Sequence, residues 1–91
     1  MKNKSAVRDR IHAVLPDRII KCRRERGWSQ ECLAKMSGTT YVSISCYERG
    51  TRFPTADILA GIAAALDVSC DWLLGLSDVR RPCIQVKGEN L

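Results

Sequence analysis

Between Gly27 and Gly50 the chain is punctuated at close intervals by Gly27, Ser29, Gly38, Thr40 and Gly50. Glycine ends a helix because it takes the left-handed backbone of a C-cap without strain. A Ser or Thr hydroxyl starts the next one by accepting a free first-turn amide. The stretch therefore predicts two short helices, Ser29–Ser37 and Thr40–Arg49, joined by a tight turn. Helices of this length are marginal alone, so they must pack on the rest of the chain. In the second, Ile44 and Tyr47 share one stripe. Val42, Ser45, Cys46 and Arg49 then look outward, with Tyr41 at the rim. A solvated helix would carry more Lys, Glu and Gln there, so this outer face needs another purpose.

The flanks supply the packing. Ser5 can cap an N-terminal helix in which Val7, Ile11, Val14 and Leu15 share a side. Pro16 interrupts that helix or begins a fresh one, Pro16 to Arg26, with Ile19, Ile20 and Cys22 inward and Gly27 as the stop. Leu33, Ala34 and Met36 form the buried side of the next segment. Thr55 or Pro54 starts a longer helix to Leu66, and Gly61 inside it suggests close packing. Ser69 caps a last helix, where Val68, Trp72 and Leu73 close the core and Leu74 and Leu76 are more exposed. Cys83–Lys87 alternates as a strand would, too briefly to build a sheet. The fold class expected is all-α, with residues 1–14 as a helical extension, 15–76 as the domain and 77–91 as a tail.

Composition narrows the function. The 91 residues make one domain, and at that size dimerisation would add to a narrow margin of stability. Residues 1–53 carry a net charge of +7 and residues 54–91 a net −2. A basic half suggests a polyanionic partner. With no long apolar run and no uninterrupted apolar core near the N-terminus, neither a membrane span nor a signal peptide is expected, and the chain reads as cytoplasmic. Cys22, Cys32, Cys46, Cys70 and Cys83 form no CxxC pair and His12 is the single histidine, so neither a metal nor another cofactor is expected. An enzyme is a poor fit, for want of paired carboxylates or a phosphate-binding glycine loop after a strand.

Two capped helices across a glycine turn have the proportions of a helix-turn-helix. In that motif the first helix seats the second, whose free face enters a major groove. The stretch Arg23–Asp78 resembles the DNA-binding domain of Cro and the lambdoid phage repressors, also called the xenobiotic response element family. The matching residues are Arg23, GWSQ (27–30), LA (33–34), SGTT (37–40), SI (43–44), the ERG ending at Gly50, Pro54 and LDVSCDWLLG (66–75). The resemblance implies a five-helix lambda-repressor-like domain that binds double-stranded operator DNA as a homodimer.

It also implies roles. Tyr41, Val42, Ser45 and Cys46 match base-reading positions. Gln30, Thr40, Ser43, Arg49 and Arg52 match places that meet the DNA backbone, and Arg23 with Glu48 matches a structural ion pair. Cys70, Leu74 and Leu76 lie where such domains meet across a twofold axis. Many relatives read bases with Gln, Asn, Arg or Lys, whereas Tyr41, Val42 and Cys46 offer little bidentate bonding. Arg18, Lys21, Arg24 and Arg26 are weaker DNA candidates or a wet surface, and Lys2, Lys4, Arg8 and Arg10 a possible basic arm. The expected function is that of a small phage or prokaryotic regulator, a repressor acting by occupancy. The alternative is an antitoxin of the same fold that binds a toxin protein and represses its own operon.

Overall fold

The computed structural model describes residues 3–81, with side chains from Ala6 onward. Its helices are α1 Asn3–Glu25, α2 Gln30–Ser37, α3 Tyr41–Arg49, α4 Ala56–Leu66 and α5 Cys70–Leu73, with no strand among the described residues. Cys83–Lys87, read as strand-like, lies outside them, as does Lys2.

The caps form as local chemistry dictates. Ser29, Thr40 and Ser69 each accept a first-turn amide, from Cys32, Ser43 and Trp72 respectively. Gly38 and Gly50, at φ 83° and 78°, close α2 and α3 in the left-handed conformation. A side chain with a Cβ would be strained at both.

α1 departs from the expected break, for it runs unbroken through Pro16. Proline removes the amide that would bond the carbonyl one turn earlier and crowds that carbonyl. Pro16 is buried, however, and its Cγ lies 3.7 Å from where a Cβ on Gly50 would sit, so the ring packs on the end of α3. Leu15, Ile19 and Cys22, all buried, keep one helical register across the proline, and their burial holds the helix together. The expected boundary between extension and domain thus falls inside a continuous helix.

α1 packs on α3 and α5, α2 on α3 and α4, and α4 on α5. The shared core holds Leu15, Ile19, Leu33, Ile44, Ile62, Leu66 and Leu73, with Tyr47 and Trp72 at its edges. Met36, expected inside, is exposed. The buried arc of α2 runs through Leu33, Ala34 and Ser37, and Met36 falls outside it. Buried Ser37 satisfies its hydroxyl by donating to the Leu33 carbonyl at 2.7 Å. A Cβ on Gly61 would meet the Ser37 carbonyl oxygen at 2.5 Å, so α4 approaches α2 backbone to backbone. The close packing suggested by Gly61 is present.

Residues 77–81, the first part of the expected tail, fold back on the domain. The Ser69 amide donates to the Arg80 carbonyl at 2.8 Å. Arg80 pairs with Glu25 of α1, and the Arg18 and Arg80 guanidinium groups lie over the Trp72 ring at 4.5 and 5.1 Å. The hydrogen bond from Arg80, joined by Lys21, holds the Glu25 carboxyl below its ordinary range. Burial pushes the neighbouring Cys22 thiol up.

Candidate nucleic-acid interface

α3 is held from behind by charge as well as by apolar contact. Arg23 of α1 grips Glu48 with both prongs, Nε donating to Oε2 at 2.6 Å and Nη2 to Oε1 at 3.1 Å. Its Nη1 donates to the Trp28 carbonyl at 2.7 Å, so one guanidinium also fixes the loop before α2. The two side chains are only 12% and 5% exposed, and the expected structural pair is present. Gln30 Nε2 donates to the same Glu48 Oε1 at 2.9 Å. Glu48 is therefore a three-helix junction that fixes how α3 is rolled about its axis.

The amide carbonyl of Gln30 and its second N–H are left for outside partners. Ser29, Gln30, Glu31 and Tyr41 line one open hollow of about 330 Å³, which joins the start of α2 to the rim of α3. Thr40 Oγ1 accepts the Ser43 amide and donates to Ser43 Oγ, both at 3.1 Å. That leaves the Ser43 hydroxyl proton free to donate outward. No acidic side chain occupies the first turn of α3. The positive end of its helix dipole therefore keeps its pull on an anion.

The outer face is as the periodicity predicts. Ile44 and Tyr47 are 0% and 4% exposed, whereas Tyr41 and Val42 are 54% and 59%. Ser45 and Cys46 are half-buried between them. Arg49 is exposed and lies back along the helix, with Nη1 donating to Ser45 Oγ at 2.5 Å and Nη2 to Cys46 Sγ at 3.6 Å. Arg52, in the loop beyond, is exposed.

Two of the weaker basic candidates belong to the fold. Arg18 donates to the Trp72 carbonyl and Arg26 to the Leu66 carbonyl, each with its guanidinium over a tryptophan ring. Arg10 donates to the Gly75 carbonyl at 2.7 Å. Arg24 is exposed, and exposed Lys21 pairs with Glu25 one turn on. Of the residues expected at a dimer contact, Cys70 and Leu74 are half-buried and Leu76 is exposed. Leu74 also lines a groove of about 670 Å³ with Val7, Ile11, Leu15, Phe53, Pro54 and Leu59. His12, at its edge, stacks on Phe53 with ring centroids 4.2 Å apart. Sequence reasoning missed this groove, because it assembles from three separate parts of the chain.

No helix of the described residues is long and apolar enough to cross a membrane. The model of the helix-turn-helix family matches residues 19–73. Two Bacillus subtilis proteins are similar: the HTH-type transcriptional regulator AnsR, 36% identical over 59 residues, and the HTH-type regulator YqaE, 39% identical over 54. The matches cover 65% and 59% of this chain, which spans about half the length of either relative (51% and 47%). Among solved structures, the P22 c2 repressor in complex with a synthetic operator superposes with a TM-score of 0.68 at 33% identity, covering 70% of this chain and 97% of that one. A hypothetical transcription factor from Neisseria gives the same score and identity over 72% and 74%. The five-helix architecture thus agrees with that of the solved structures it superposes on, and the chain belongs to the helix-turn-helix family with a lambda-repressor-like fold.

Proposed function

We propose that the chain is a sequence-specific DNA-binding transcriptional regulator, a repressor that occupies a twofold operator as a homodimer with α3 in the major groove. The observation that carries this is the contrast within α3: its inner face is anchored to α1 and α2, while on its outer face Tyr41 and Val42 are exposed and Ser45 and Cys46 only half-buried. The P22 c2 repressor, which superposes on this chain, is itself seen with an operator. Phosphates would position the domain through Gln30, Thr40, Ser43 and Arg52, and the outer face of α3 would select the site. Val42 suits a thymine methyl and Tyr41 a hydroxyl contact at the groove edge. Leu74 and Leu76, with Cys70, would supply the twofold contact and set the recognition helices about 34 Å apart, one turn of duplex. No cofactor is required, and the site of action is wherever the cell keeps its DNA.

The test is selection of bound sites from random duplex DNA, followed by anisotropy titration at two salt concentrations. A twofold-symmetric site bound far more tightly than scrambled DNA, with steep salt dependence, supports the assignment. Weak binding indifferent to sequence would sink it and turn attention to a protein partner for α3, as in an antitoxin.

A further inference from the structure

Resting on the DNA-binding assignment, we infer that Arg49 is the guanine-reading residue of the recognition helix and not one of its phosphate grips. The argument begins with where the guanidinium lies. Side chains on a helix lean toward its N-terminus. A residue in the last turn can therefore lay a long side chain over the turn before it. Arg49 does so, and its group rests on Ser45 Oγ (2.5 Å) and Cys46 Sγ (3.6 Å), in the stripe that Val42 begins. It therefore lies along the groove-facing side of α3, not off the helix end toward the backbone.

Chemistry then assigns the task. Telling guanine from the other bases in the major groove calls for two donors in a fixed fork, aimed at O6 and N7. Arg49 is the sole cation of α3. Val42 has no donor, Tyr41 has one hydroxyl at the rim, and a cysteine thiol is a weak donor. A guanidinium carries five N–H groups, of which the bonds to Ser45 and Cys46 use two. The remaining three suffice for a bidentate contact. The same two bonds hold the plane of the group, so less rotamer freedom is lost when it meets a base. Phosphate contact has other providers in Arg52 and the hydroxyls of Thr40 and Ser43.

The experiment repeats site selection with the wild-type chain, Arg49→Lys and Arg49→Gln. The wild-type site should hold a guanine at one symmetric position in each half. Both variants should lose that preference by roughly 5- to 150-fold while the other positions stand. Lysine keeps the charge and loses the fork, which separates reading from attraction. Replacing that guanine with 7-deazaguanine, which lacks the N7 acceptor, should weaken the wild-type complex and leave Arg49→Gln unaffected. The inference is overturned if both variants select the wild-type site at every position and Arg49→Gln loses affinity equally for cognate and scrambled DNA, with a salt slope smaller by about one. A wild-type site with no guanine in either half overturns it too. A wild-type chain that selects no site at all defeats the DNA-binding assignment itself, so the two failures are told apart. Unfolding in urea should be the same for all three proteins, since Arg49 is exposed.

Discussion

The two sides of α3 are built on opposite plans. Its inner side puts Ile44 and Tyr47 into the core and ties Glu48 to Arg23 and Gln30 on two other helices. Its outer side carries two large exposed side chains, Tyr41 and Val42, and a guanidinium whose hydrogen bonds stay within its own helix. One nine-residue helix thus divides labour by angle. Stability is concentrated on the side that faces protein, and under the proposed function choice of partner is left to the other side. Substitutions should respect that division.

The largest effect is expected at Glu48. Glu48→Ala or Arg23→Ala strands the other charge in a buried site and should cost about 3–5 kcal/mol, read as a lower urea midpoint with unchanged slope. A loss below about 1 kcal/mol would mean that the pair behaves as a solvated one and that the inner side is held by Ile44 and Tyr47 alone. Next comes Gly61→Ala. In an ordinary helix interior alanine would gain about 1 kcal/mol over glycine. Here the new methyl meets the backbone of Ser37, so α4 must draw back from α2, at a cost of about 1–3 kcal/mol. We expect net destabilisation, together with weaker operator binding because α2 carries α3. A more stable Gly61→Ala protein would show that the helices can separate freely.

A smaller effect comes from acid. The exposed Glu25–Arg80 pair contrasts with the buried Glu48–Arg23 pair. Because the folded Glu25 carboxyl is held below its ordinary value of 4.5, its contribution is complete above that value. It is lost as pH falls below 4.5 toward the lowered value. Urea midpoints measured from neutral pH to about 3 should fall less for Glu25→Gln than for the wild type. Equal falls would assign acid sensitivity to other carboxylates. Least of all should change when Tyr41 or Val42 becomes alanine. Stability should stay within about 0.5 kcal/mol while operator affinity drops, and a large loss of stability would erase the contrast between the two sides.

What the sequence makes legible is local. The caps at Ser29, Thr40 and Ser69 and the stops at Gly38 and Gly50 follow from hydrogen bonds within a few residues, and each is found where expected. The inward stripe of α3 follows from spacing alone. The less legible features depend on partners far along the chain. Pro16 reads as a break until Gly50 supplies a surface for its ring. Arg18 and Arg26 read as weak DNA candidates or wet surface until Trp72 and Leu66 present carbonyls to them. Met36 reads as core on hydrophobicity, and loses its place to a serine that satisfies its own hydroxyl. The orientation of Arg49 was also hidden, since spacing places Ser45 and Cys46 within its reach without saying that it bonds them.

The junction at Glu48 has a consequence in time. A helix whose roll is already fixed by two neighbours need not be ordered when it meets its target, so encounter should be as quick on poor sites as on good ones. Discrimination would then lie in dwell time: a right site and a wrong one would be approached at similar rates and left at very different ones.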